Sequence, residues 1–250
     1  MKVLTCYSLK GGVGKTTTAI NVAYLSSRQG YRTLLIDLDP QGSASWMLRT
    51  VRTDSRSITK VASGKTTARA ALKTSVFGTD YEGLDLIPYG VETLNLDAHL
   101  ATLKSPSKGI ERIFDIGSTD YELIVVDLPP SAGPLAKATL VASDLVIFVM
   151  TPSKLSLHAL EEAKDRIPTL TKRRTRVLFT MVDPRRHVDL ESIDEARASG
   201  SLVLETQISR STLFDRMQDR RAPISLAAPK SKAADSYLQL YHELATELGL

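Results

Sequence analysis

Lys10-Gly11-Gly12-Val13-Gly14-Lys15-Thr16-Thr17 packs glycines, lysines and hydroxyls into one short loop. It follows an apolar run, Val3-Leu4-Thr5-Cys6-Tyr7, and opens an apolar-periodic segment from Thr18 to Leu25. Strand, glycine loop and helix are the context that a phosphate-binding loop needs. The glycines let backbone N–H groups turn inward and close on phosphate oxygens. The helix start adds unpaired donors and the positive end of a dipole. In this reading Lys15 reaches the β- and γ-phosphates, and the Thr16 hydroxyl ligates Mg²⁺. The ordinary spacing, G-x-x-x-x-G-K-S/T, asks for glycine at position 9. This chain has Leu9 there, and beside it a second lysine, Lys10.

Two further segments carry acids suited to such a loop. Asp37-Leu38-Asp39-Pro40-Gln41-Gly42-Ser43 follows the second apolar run, Thr33–Asp37. A loop at the carboxyl edge of a parallel sheet lies beside the phosphates, where an acid can orient a water or hold a metal-bound one. Asp39 is the candidate, with Asp37 either a second functional acid or a support for the loop through hydrogen bonds. Tyr121-Glu122-Leu123-Ile124-Val125-Val126-Asp127 is an apolar strand ending in a carboxylate, the Walker B form, which delivers Asp127 to the Mg²⁺ shell. Pro129 and Pro130 stiffen the loop behind it.

The elements that must position these groups alternate along the chain. Expected strands are Val3–Tyr7, Thr33–Asp37, Leu84–Pro88, Leu123–Asp127, Leu145–Thr151, Val177–Met181 and a short Glu205–Ile208. Helical patterns fall at Thr16–Gln29, Leu135–Ala142, Leu157–Ile167 and Ser192–Ala198, with Gly30 placed to end the first. Continuous apolar runs such as Leu145–Met150 suit strands covered on both faces. The expected fold is α/β, a doubly wound, mostly parallel sheet with helices on both faces, as one domain over residues 1–250. A C-terminal helix at about 231–249 should dock Ala234, Tyr237, Leu238, Tyr241, Leu244 and Leu248 on the sheet. Residues 49–80 are basic and irregular, with a short helix near Ala68–Lys73. A second Gly-Lys-Thr-Thr at Gly64–Thr67 has Thr59 in the glycine position and no strong strand before it. It is not expected to bind phosphate.

A glycine loop with lysines at both ends resembles the deviant Walker A motif of the ParA/MinD family of ATPases. Asp37-Leu38-Asp39-Pro40-Gln41-Gly42-Ser43 looks like that family's first switch loop, and Asp127-Leu128-Pro129-Pro130-Ser131 like its second. Gly83–Pro88, Thr180–Asp183 and the tyrosine-bearing final helix extend the likeness nearly end to end. The resemblance implies ATP with Mg²⁺ as cofactors. Gly11, Gly12, Val13, Gly14, Lys15, Thr16 and Thr17 would cradle the phosphates, and Thr16, Asp39 and Asp127 would form the metal shell. It also implies catalytic roles for Lys10, Lys15 and Asp39, with Lys10 reaching across a dimer interface to the partner's nucleotide. The late strand end, Thr180, Met181, Asp183 and Pro184, would border the adenine. Ile208–Arg216 departs from the Ile-Pro-Arg-Asn text of many relatives, which weakens transfer of contacts there. Beginning at its first strand, the chain is expected to lack the N-terminal DNA-binding extension of larger ParA forms.

The family spans several partners, and composition sorts among them. The 250 residues are 42% hydrophobic and 24% charged, with a formal net charge of +4. That balance permits nucleic-acid binding without establishing it. One cysteine, Cys6, cannot supply the cluster ligands of an iron protein, and its apolar setting marks it as core. No apolar stretch reaches the ~20 residues of a membrane span. The last helix is acidic on its expected exposed side, which disfavours anionic lipid. Basic residues gather at Lys172, Arg173, Arg174, Arg176, Arg185, Arg186, Arg210, Arg216, Arg220 and Arg221. By resemblance, Arg185, Arg186 and Arg210 match best the residues with which ParA proteins hold DNA without sequence preference, and Arg216, Arg220 and Arg221 extend the patch. A solvated basic face is the plain alternative. The expectation is a cytoplasmic, nucleoid-associated ATPase that dimerises on ATP and answers to a ParB-like protein or another cargo adaptor. The alternative is an ATP-dependent amidoligase or synthetase on the same scaffold, which needs an acceptor pocket for which no motif is evident.

Overall fold

The computed structural model describes residues 1–48, 58–172 and 175–250. Its strands are β1 (Lys2–Tyr7), β2 (Thr33–Asp37), β3 (Phe77–Gly78), β4 (Leu84–Ile87), β5 (Leu123–Asp127), β6 (Leu145–Met150), β7 (Thr175–Val182) and β8 (Ile208–Ser209). They form one eight-stranded sheet in the order β3-β4-β2-β5-β1-β6-β7-β8. Every pairing is parallel except β3 with β4, a two-residue antiparallel edge. Five side chains in sequence, Leu123–Asp127, are buried, as a strand covered on both faces requires.

Alternation along β1 divides the core. Val3 and Tyr7 enter one apolar layer, with Leu34, Ile36, Ile124, Val126 and Phe148. Leu4 and Cys6 enter the other, with Leu35, Val125, Ile147 and Leu178. Cys6 is thus a core residue. The helices nearest the chemistry are α1 (Lys15–Arg28), α2 (Ser43–Met47), α3 (Lys154–Arg166), α4 (Leu213–Arg220) and α5 (Lys232–Leu248). The layer holding Leu4 takes side chains from α1, α2, α4 and α5, and α3 packs on the opposite face. Gly30, left-handed at φ +93°, follows the end of α1. No helix among the described residues is long and apolar enough to cross a membrane.

Several sequence expectations are corrected. The strand expected at Glu205–Ile208 shortens to Ile208–Ser209, because Glu205 and Thr206 give their N–H groups to the Glu243 carboxylate (2.8 and 3.0 Å) instead of a ladder. The acids of α5 are not a solvated face: Glu243 makes those bonds, and Glu247 accepts a two-pronged pair from Arg176 at 2.7–3.1 Å. Within α5, Leu238 is exposed and Leu240 fully buried. Leu238 lies about 100° round the helix from Tyr237, outside the arc that faces the sheet. The helix near Ala68–Lys73 runs Ala68–Ser75, with the Thr67 hydroxyl accepting from Ala70 N–H (3.3 Å). Gly64–Thr67 therefore follows a helix, Ile58–Ala62, and caps the next one. The basic stretch at 49–57 and Arg173 and Arg174 lie outside the described residues.

The arc of α5 has a measurable consequence. Leu240→Ala should lose ~2–5 kcal/mol of unfolding free energy and Leu238→Ala no more than ~0.5 kcal/mol, as read by urea denaturation.

Candidate active site

The carboxyl ends of β1, β2, β5 and β7 meet at one edge of the sheet, where a doubly wound fold places its ligand. The loop from Lys10 to Gly14 turns there through two left-handed glycines, Gly12 at φ +74° and Gly14 at φ +90°. Side chains with a Cβ rarely adopt that backbone, so the loop needs glycine at both positions. Behind it, the Thr180 hydroxyl at the end of β7 donates to Val13 O (2.7 Å) and pins the loop to the sheet. Lys15, the first residue of α1, is buried and turned back on its own loop, with Nζ donating to Lys10 O (3.2 Å). Burial lowers its pKa, and the Asp127 and Asp39 carboxylates oppose that shift. Lys10 points the other way. Its Nζ donates to the Ser156 hydroxyl of α3 (3.3 Å), which also contacts the Thr151 and Ser153 hydroxyls.

Asp37 and Asp127 are register partners on adjacent strands, and both are fully buried. Asp37 accepts from Ser45 N–H (2.8 Å), the Ser45 hydroxyl (2.7 Å) and Asp39 N–H (3.2 Å). Of the two roles open to it, these bonds place it as a support of the loop and of α2. Asp39 lies nearly buried on the cavity wall, its Oδ1 accepting from Gln41 N–H (2.9 Å). Asp127 Oδ2 accepts from the Thr16 hydroxyl (2.7 Å). Its Oδ1 is buried with no hydrogen-bond partner among the described residues. Burial first, and then the Asp37 charge, push the Asp127 carboxyl well above the usual carboxylate range. An orphaned hard oxygen beside a threonine hydroxyl fits a divalent cation, which would hold Asp127 ionised.

A cavity of about 760 Å³ opens over this edge. Gly11–Thr17, Asp39, Thr180, Met181 and Arg210 line it, whereas Asp183 and Pro184 do not. Asp183 instead pairs with Arg185 (3.0 Å), which holds its carboxyl down to about 2. Met181 takes a left-handed backbone, φ +56°, at the irregularity between β7 and β8. Trp46 and Met47 of α2, Phe214 and Met217 of α4, and Tyr237 of α5 complete the apolar wall. Sequence reasoning missed these five. Only Trp46 carried a local signal, as the one tryptophan of the chain four residues beyond the Asp39 loop's Gly42.

The arginines divide. Arg186 stands 3.5 Å from Asp189, Arg220 donates to Ala227 O (3.3 Å), and the Arg221 guanidinium lies over the Trp46 ring. Arg216 is exposed outside the cavity, and Arg210 is exposed at its edge.

The family model AAA_31, described as an AAA domain, matches residues 1–180. The chain belongs to that family, as a ParA/MinD-type P-loop ATPase. It is 29% identical to the sporulation initiation inhibitor protein Soj of Bacillus subtilis, over 98% of each chain. To the chromosome partitioning protein ParA of Myxococcus xanthus it is 27% identical, over 97% of this chain and 87% of that one. The solved structure of apo McdA from Cyanothece shares the fold at a TM-score of 0.85 and 19% identity, covering 98% of this chain and 99% of that one.

The buried acids set a pH dependence. Burial lifts Asp37 to about 6, against a usual value of 3.8. Between those values the unfolded chain gives up its proton more readily than the folded one, so this group's stabilisation is present below pH ~4 and is lost as pH rises through ~6. In EDTA and without nucleotide, Asp37→Asn should therefore gain on the wild type by up to ~3 kcal/mol between pH 4 and pH 6.5. A stability difference that stays flat across that range, in denaturant titrations, would contradict the assignment.

Proposed function

We propose that this chain is a nucleotide-switched partition or positioning ATPase. ATP bridges two copies, the dimer binds DNA without sequence preference, and a ParB-like protein or other cargo adaptor stimulates hydrolysis and release. The observation that carries this reading is the second lysine. Lys15 already serves the loop from within, while Lys10 is half-buried outside the cavity lining, its Nζ donating to Ser156 Oγ. A cation there is surplus to one protomer's phosphate site and suited to a neighbour's. The partition names of full-length relatives support the cellular role, and the absence of a motif for an acceptor substrate weighs against an amidoligase.

Phosphoryl transfer rests chiefly on positioning and charge neutralisation. Lys15 would exchange Lys10 O for phosphate oxygens, and the N–H groups of residues 11–16 would close on them. Mg²⁺ would be held by the Thr16 hydroxyl, Asp127 and Asp39, directly or through water, and would neutralise phosphate charge. Asp39 orients the attacking water. Arg185 can leave its exposed ion pair with Asp183 for a DNA phosphate at small cost, because such pairs are worth only ~0–1 kcal/mol, whereas Arg186 is held by the buried Asp189 carboxylate. Nothing in this scheme requires a membrane. It places the protein in the cytoplasm, on the nucleoid.

Separate losses are expected from separate residues. Lys15→Ala should abolish nucleotide binding. Lys10→Ala should bind ATP as a monomer and fail to dimerise. Asp39→Ala should form an ATP dimer that persists. Size-exclusion chromatography with ATP and Mg²⁺ distinguishes all three, and a monomeric Asp39→Ala would refute its assignment.

DNA binding is tested by retention on a DNA column with ATP, ADP or no nucleotide. Wild type should be held with ATP alone, and Arg216→Glu, which spares the cavity, should elute several-fold more readily. Equal retention in all three states would reject the switch.

A further inference from the structure

Arg221 sits one residue past the end of α4 in the left-handed region, at φ 48° and ψ 53°. Glycine usually takes that position, because a Cβ crowds the backbone there. A non-glycine residue persists in such a conformation where surrounding contacts over-determine it, and strain of this kind concentrates at clamps and switches. The guanidinium carbon lies 4.7 Å from the centre of the Trp46 ring. Nε donates to Trp46 O (2.8 Å), and Nη2 donates to the same oxygen. Carbonyls in the last turn of a helix carry the negative end of its dipole and attract cations, and Trp46 O stands there.

The two elements so joined are facing walls of the large cavity. α2 contributes Ser43, Trp46 and Met47, and follows Asp39 by only a few residues. α4 contributes Phe214, Asp215, Met217 and Gln218. Ser45, midway along α2, is tied to Asp37, and Met47 and Leu48 beyond it are buried in the core, so the Arg221 contact acts on the exposed Trp46 side chain of this helix. Beside α2 lies a smaller cavity of about 250 Å³, bordered by Gln41, Tyr89 and Arg221. The Trp46 ring therefore has space into which it can turn when the guanidinium lets it go. Trp46 itself is half exposed, which puts the contact at the mouth.

We propose that the Arg221–Trp46 contact is a clasp across the mouth of the nucleotide cavity, and that its opening governs nucleotide release. The clasp rests on the reading of that cavity as the nucleotide site. Closed, it holds the Trp46 ring against the end of α4. Open, it frees that ring, which lines the cavity. Arg221 is a positioning residue in this account and touches no phosphate.

Trp46 is the chain's only tryptophan, so its emission reports the clasp without a label. Arg221→Gly removes the guanidinium and is at ease in the left-handed backbone, which keeps the fold intact. Arg221→Lys keeps the charge and loses the flat, forked donor. Each protein is loaded with N-methylanthraniloyl-ADP and Mg²⁺, then chased with excess ADP in a stopped-flow instrument. Release from Arg221→Gly should be about tenfold faster than from wild type, and release from Arg221→Lys intermediate. In the nucleotide-free Arg221→Gly protein, acrylamide should quench Trp46 more strongly than in wild type. An Arg221→Gly protein with wild-type circular dichroism and an unchanged release rate would overturn the clasp while leaving the nucleotide site standing. A wild-type protein that fails to bind the labelled ADP would overturn both.

Discussion

Two carboxylates side by side on adjacent buried strands are the constraint around which this edge of the molecule is built. Burying one unpaired charge is costly, and burying two like charges as register partners is more so. Each acid is answered differently. Asp37 is met by backbone and hydroxyl donors from Ser45 and Asp39, and those bonds shape the turn and set α2 in place. Asp127 is met by one hydroxyl, from Thr16, with Lys15 as the nearby cation and one oxygen left unanswered. The same asymmetry separates a structural acid from one fitted to a metal. Thr180 closes the arrangement by holding Val13 from behind, so the loop, the acids and the late strand form one connected unit.

The basic residues obey a similar accounting of partners. Arg176 is taken up by Glu247 in a partly buried, two-pronged pair, which fastens the C-terminal helix to β7. Arg185 lies against Asp183 on an exposed turn, where pairing is weak and exchangeable, while Arg186 reaches the buried Asp189 carboxylate. Arg221 is spent on an aromatic ring and a helix end. A run of arginines in the text thus becomes three distinct physical situations, and only the exposed members remain free to meet a polyanion.

The central strands were legible because runs such as Leu123–Val126 are apolar without interruption, which few other structures tolerate. α1 was legible from its periodicity and from the glycines at either end. The strand, glycine loop and helix that carry Lys15 and Thr16, and the strand that ends in Asp127, could be read from the order of residues. Shorter elements were not. Pro106–Phe114 was passed over although Ser105-Pro106 is a helix-start signal, and its apolar face shows only against its neighbours. Leu238 was placed in the core and Leu240 was not, since a few tens of degrees separate the edge of a helix face from its centre. The strand expected at Glu205 yielded to Glu243, a carboxylate 38 residues away that no local pattern could place there.

Local chemistry determined what depends on neighbours in the chain. A glycine loop between strand and helix, acids at strand ends and the order of α and β elements all follow from short-range sterics and periodicity. The outer wall of the large cavity was decided only by folding. Trp46, Phe214, Met217 and Tyr237 come from three distant helices and meet because the crossovers return those helices to one face of the sheet. The partners of Lys10, Asp37 and Arg221 were decided in the same way. A charge buried or half-buried takes whichever donor or acceptor the tertiary packing brings within reach, and that choice is absent from the order of residues.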